Sequence, residues 1–254
     1  MESFMIKWRL MLKTLPLVAL ITAIKIGLDF GLKFSGMIKF SDVAIIMTGG
    51  IFLMGFMLAG VLADYKESEK LPGELVCSME VIDEGLCHIG IAKQNIQLSE
   101  IRKMVMGLAD LINYWLNKKV KSDKVFDAIA QISVKVQPLD STAISVRVLN
   151  ELNTLRKTVM RIDVIKRTSF LQSGYALLDT IVVLVLVLLM FSKFETVISE
   201  GIVTFFVSLV YVYMIRLIRD IDDPFEYEEG KQSQAADVDL FPLEEFRKRL
   251  QARM

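Results

Sequence analysis

One histidine, two cysteines and no excess charge of either sign leave this 254-residue chain poorly equipped for several chemistries. There is no Cys-x-x-Cys pair, no Gly-rich phosphate loop and no Gly-x-Ser-x-Gly elbow. His88, Glu80 and Glu84 fall on one face of a helix in an i, i+4, i+8 row, with Cys87 beside it. Such a row suits either a metal with a partner helix or a solvated face, and one histidine without a Glu-x-x-His pair favours the second. No metal, no cofactor and no catalytic set is expected, and the chain does not read as an enzyme. A net charge of zero gives no pointer to nucleic acid as a partner.

What the sequence has is apolar length. Apolar residues make up 53 % of it, and they are gathered in long runs rather than periodic stripes. Residues 43–63 are 21 positions without a charge, enough at ~1.5 Å per residue to cross a bilayer core of ~30 Å. Residues 168–192 carry one charge, Asp179, and 201–215 carry none, with Glu200 and Arg216 at their ends. The first run, about 10–30, contains Lys13, Lys25 and Asp29. Lys13 can snorkel, while Lys25 and Asp29, four apart, can pair or face a polar interior. This run is either a span or an amphipathic surface helix. No small-x-small cleavage site follows it, so it reads as retained.

The expected fold is therefore all-α, an integral membrane protein with four transmembrane helices and a helical cytosolic domain. Residues 1–63 form the first helix pair, 64–167 the cytosolic domain, 168–217 the second pair and 218–254 a cytosolic tail. Orientation comes from basic residues near the span ends. Lys7, Arg9, Lys13, Lys66, Lys70, Lys157, Arg161, Lys166, Arg167, Arg216 and Arg219 fall on one side, against Lys33, Lys39 and Lys193 on the other. Both termini are then cytosolic, in a multi-pass cell-membrane protein. Cys77 and Cys87 lie in a reducing compartment, where a disulfide is not expected.

In the middle region Ser122-Asp123 and Asp140-Ser141, just after Pro138, read as helix starts. From the second, Ile144, Val148, Leu152, Leu155, Val159 and Ile162 recur every three or four residues, predicting one long helix to about Phe170 that runs directly into the third span. The stripe suits a coiled-coil seam or the core face of a domain. Gly49, Gly50, Gly55 and Gly60 allow close helix approach or bending.

Two segments carry a family resemblance. The second span contains Phe52-Leu53-Met54-Gly55-Phe56 and is followed by Leu71-Pro72; the fourth leads into Asp223-Pro224-Phe225 and later Leu240-Phe241-Pro242-Leu243. In this order the motifs resemble the bestrophin and bestrophin-like family of the prokaryotic type. The resemblance implies a homopentameric ion channel in the lipid bilayer, conducting small monovalent ions through a central pore with a hydrophobic neck. Thr48, Phe52 and Phe56 would form the neck, and Asp64 the inner mouth.

The physics agrees in part. Phe52 and Phe56 stack about 6 Å apart along one helix face, and copies around an axis would form apolar rings able to gate by dewetting. A membrane phenylalanine also commonly faces lipid or a neighbouring helix. Thr48 stands where relatives carry an aliphatic residue, which wets the neck. Where the family has a basic residue and tryptophans beyond the neck, this chain has Ala63-Asp64-Tyr65, so an acidic ring would favour cations. The family's glycine after Pro-Phe is Glu226 here. Asp220, Asp222, Asp223, Glu226, Glu228 and Glu229 could hold a hard cation, as acidic residues there do in animal members, or form a solvated tail. A non-conducting membrane scaffold is the competing class. An intramembrane enzyme ranks last, with only Lys25, Asp29 and Asp179 as polar candidates.

Overall fold

The computed structural model describes residues 2–31, 36–93, 98–136, 143–228, 231–232 and 236–254. Nine helices and two short strand pairs are found among them: α1 (Glu2–Gly31), β1 (Ile38–Lys39), α2 (Phe40–Ser68), α3 (Leu71–Lys93), α4 (Leu98–Leu116), α5 (Ser122–Val136), α6 (Ala143–Arg167), α7 (Gln172–Met190), β2 (Ser192–Lys193), α8 (Val197–Asp222), β3 (Tyr227–Glu228), β4 (Lys231–Gln232) and α9 (Phe241–Ala252). They divide into two units. One holds residues 1–65, 169–223 and 234–236; the other holds 66–168, 224–233 and 237–254.

The first unit is membrane-embedded. Four helical stretches, containing α1, α2, α7 and α8, are long and apolar enough to cross a bilayer. Only 17 % of the most apolar window in Trp8–Asp29 and 33 % of that in Val197–Asp222 is buried within the chain. So much uncovered apolar surface requires lipid or further protein. Two-residue strands β1 and β2 pair in parallel, Ile38 with Ser192 and Lys39 with Lys193, and tie together the α1–α2 and α7–α8 connections.

Lipid is as apolar as leucine, so the hydrophobic effect gives little preference for one helix contact over another, and close packing decides. Val43, Met47, Met54 and Val61 of α2 pack with Leu178, Val182, Val185 and Leu189 of α7 and with Tyr211, Ile215 and Ile218 of α8. Two glycines of α2 permit the close approaches. A side chain at Gly50 would strike Tyr211 and Ile181, and one at Gly60 would meet the Phe170 ring at 2.6 Å. Gly49 and Gly55 have open space around them and serve no such contact.

The second unit is a helical bundle. α3 packs on α4, α6 and α9, and α5 bridges α4 and α6. Its core takes Leu75, Met79 and Ile82 from α3, Val105 and Ile112 from α4, Ile129 from α5, and Phe246 from α9. α5 starts at Ser122 as the Ser-Asp pair predicts. Val148, Leu152, Leu155, Val159 and Ile162 of α6 are buried as a core face, whereas Ile144 is 39 % exposed and Ser145 takes the inward position. The expected start at Asp140-Ser141 after Pro138 lies outside the described residues, as does Lys33. The Asp-Pro-Phe segment sends Phe225 into this core, where Val238 N–H donates to the Pro224 carbonyl at 2.8 Å and Tyr227 Oη donates to the Val238 carbonyl at 2.7 Å.

One expectation is corrected. The long helix does not run into the third span: α6 ends at Arg167 and α7 begins at Gln172. The Thr168 hydroxyl donates to the Val164 carbonyl at 2.8 Å, a side-chain bond of the kind that bends or ends helices. Phe170 N–H then donates to Asp222 Oδ1 at 3.0 Å instead of to a carbonyl four residues earlier, and Leu171 is extended.

Candidate functional site

Helix α2 has two unlike faces. Val43, Met47, Met54 and Val61 are 4 % exposed or less, and all point toward α7 and α8. On the opposite face Ile45 is 78 %, Phe52 65 % and Phe56 62 % exposed. Thr48 is exposed on the same face, its hydroxyl donating to the Ala44 carbonyl at 2.9 Å. That bond removes the hydroxyl hydrogen from competition but leaves the oxygen able to accept from water. The Phe52 and Phe56 rings stand edge to face, 4.5 Å between centroids and 81° between planes. The structure thus brings Thr48, Phe52 and Phe56 together as one continuous strip that this chain does not cover.

Asp64 is exposed too, but it is not on the strip. Eight residues at ~100° each carry it ~80° round the helix from Phe56, so Ala63 continues the strip and the Asp64 carboxylate sits on its shoulder.

Two aromatic side chains from other helical segments hold α2 at atomic contacts, one on its back and one on its flank. Tyr211 Oη, fully buried, donates to the Met47 carbonyl one residue before Thr48. The Phe170 ring occupies the notch at Gly60, one turn beyond Phe56. These two aromatic supports brace α2 near both ends of the Thr48–Phe56 strip. Sequence reading missed both, because their signal is a pairing between distant segments: a tyrosine inside an apolar run and a glycine on another helix.

The polar candidates elsewhere sort as follows. Lys25 Nζ lies 3.0 Å from Asp29 Oδ2, the pairing expected from their spacing, and also 3.3 Å from Glu200 Oε1. Glu200, at the start of the fourth apolar run, is buried. Asp179 is held by Arg219 through two bonds of 2.6 and 2.7 Å. Glu80 pairs with Arg249, and Glu84 and His88 are exposed. Asp220 is buried, Asp222 accepts from Phe170, and Glu226 pairs with Lys118 at 3.3 Å, while Glu229 lies outside the described residues. Among the described residues no three His, Cys, Asp or Glu side chains converge as a metal site. Cys77 is exposed and Cys87 buried, both as free thiols.

No family model matches the sequence, and no curated protein matches it either. Solved structures do. A bacterial bestrophin homologue from Klebsiella pneumoniae superimposes with a TM-score of 0.74 at 15 % identity, over 95 % of this chain and 97 % of that one. Two of its variants give TM-scores of 0.75 and 0.76 at 15 % and 14 % identity, each over 95 % of this chain and 98 % of that one. At such identity the likeness speaks for the fold, and the chain shares the fold of these bacterial bestrophin homologues over nearly its whole length.

Proposed function

We propose that the chain is one subunit of a homopentameric cell-membrane channel that conducts small monovalent ions along a path lined by the exposed strip of α2. The observation that carries this reading is the strip itself: Phe52 and Phe56, each more than 60 % exposed, lie opposite a tightly packed back face. Several copies placed with this strip inward make a narrow apolar neck, with the Thr48 ring wetter than the phenylalanine rings. Such a neck holds ions back by stripping water without replacing it. The shared fold supports the choice of a channel, and the number five comes from the family that the motifs resemble. Both termini and the second unit are placed in the cytosol on the distribution of basic residues.

Selectivity in this reading favours cations. A carboxylate on the shoulder of each α2 makes the mouth negative without touching the neck, raising the local cation concentration. The test is ion flux from liposomes reconstituted with the protein, read as a reversal potential in a salt gradient. The expected result is a cation-selective potential that shrinks in Asp64→Asn and falls further toward zero at high salt in the parent, because surface potentials are screened. A chloride-selective potential that Asp64→Asn leaves unaltered would refute the role of Asp64. Absence of any flux favours the non-conducting scaffold.

A further inference from the structure

Lysines gather at the turn between α4 and α5. Residues 117–124 hold Lys118, Lys119, Lys121 and Lys124 against one acid, Asp123, in a chain whose net charge is zero. All four lysines are exposed. The turn itself is fixed. Lys118 has a φ of 58°, the left-handed position that glycine usually takes just past a helix end. Its N–H donates to the Trp115 carbonyl at 3.0 Å, and the Lys119 N–H donates to the Tyr114 carbonyl at 2.8 Å, which closes α4.

The turn is pinned to the last turn of α6. Lys166 Nζ donates to the Trp115 and Leu116 carbonyls at 3.3 and 3.1 Å and lies 5.2 Å from the centre of the Trp115 ring. Arg167 Nη2 donates to Ser122 Oγ at 2.9 Å. Only Thr168 to Leu171 then separate Arg167 from the membrane helix α7. So short a connection spans no more than about 18 Å, so the chain itself ties this turn to the start of a span.

Part of the charge is used. Lys118 pairs with Glu226 at 3.3 Å and Arg167 with Asp163 at 3.0 Å. Lys119, Lys121 and Lys124 have no carboxylate partner among the described residues, and Lys119 lies over the exposed Tyr114 ring at 6.0 Å. When residues 163–167 and 224–233 are counted with the turn, Glu228 and Glu229 included, cations outnumber acids seven to five. Like charges held this close repel, and an anion among them relieves the repulsion. Exposed ammonium groups with a tyrosine beside them, tied to a span end, match the chemistry of anionic headgroups.

We propose that the α4–α5 turn is a binding surface for anionic lipid headgroups, with Lys119, Lys121 and Lys124 meeting the phosphate and Tyr114 lying at headgroup level. This inference needs the first unit to lie in the bilayer and is independent of conduction.

Native mass spectrometry of the full-length protein in neutral detergent, titrated with short-chain phosphatidylglycerol or phosphatidylcholine, tests it. The parent should bind phosphatidylglycerol more tightly, by a margin that shrinks with added salt because exposed charges are screened. Lys121→Gln should weaken that binding about fivefold, the contribution of one lysine near an anionic surface. Lys119→Gln, Lys121→Gln and Lys124→Gln together should weaken it by at least about tenfold and leave phosphatidylcholine binding unaltered. Lys103→Gln, Lys135→Gln and Lys157→Gln together remove the same charge from exposed positions more than two turns from the site along α4, α5 and α6, and should keep the parent's binding. Equal binding of the two lipids by the parent overturns the proposal. So does a loss no greater in the first triple variant than in the second. Glycerol phosphate or inorganic phosphate that displaces phosphatidylglycerol at equal concentration shows a site for a free anion, and polyglutamate that binds where the lipid does not shows an acidic protein partner; either result also overturns it.

Discussion

Phe52→Ala combined with Phe56→Ala should raise ion flux through the reconstituted protein, with Phe52→Ala alone giving a smaller rise. Both rings project away from the packed face of α2, so their removal leaves the contacts with α7 and α8 intact. What changes is the width and wetness of the strip. An ion in a narrow apolar ring gives up hydration and gains no oxygen in return, and this sets the barrier. Truncation to alanine lets water remain. If the rings merely faced lipid or a neighbouring helix, the same change would cost about 1–3 kcal/mol of stability and bring no gain in flux. The two readings move flux in different directions, so flux measured on folded, oligomeric variants separates them. Unchanged flux in the double variant would show that these residues constrict nothing.

Lys25→Met should produce the largest loss of stability. The side chain is wholly buried, and it is the cation that holds two carboxylates, from α1 and from α8, beside the Ser192 carbonyl. Methionine fills similar volume but leaves both acids without a counter-charge. Removing one partner from a buried ion pair typically costs about 3–5 kcal/mol, because the remaining charge stays desolvated. Thermal unfolding in detergent measures it. Adding Glu200→Gln and Asp29→Asn to Lys25→Met should restore much of the loss, since the stranded charges are then gone. A Lys25→Met protein as stable as its parent would mean that the carboxylates do not depend on the lysine.

The legible and illegible parts of this fold divide on a physical line. Charge-free length is a one-dimensional property, so the run 43–63 announces a span by itself. The Lys25–Asp29 pair is equally local, because four residues place both on one helix face. Glu200 completes the same cluster from 171 residues beyond Asp29 in the chain, and no local pattern links them. The two faces of α2 were hidden for another reason. In a soluble helix polarity marks the outer face, but Met47 and Met54 inside and Phe52 and Phe56 outside are all apolar. Only packing against α7 and α8 distinguishes them. The stop between α6 and α7 depends on Asp222 accepting the Phe170 N–H, again a distant partner for a stretch whose own residues permit a helix. The family resemblance groups Thr48, Phe52 and Phe56, and their four-residue spacing agrees with it. That spacing cannot place Asp64 on the same strip, since residue 63 falls there instead.

The central claim is that the exposed strip of α2 is covered by other copies of this chain around an axis, since a single chain encloses no path beside Phe52. The mass of the detergent-solubilised complex, with bound detergent accounted for, tests this most directly. The expected result is one species of five chains, each of 28.8 kDa. A stable monomer that stays monomeric across concentrations would contradict it.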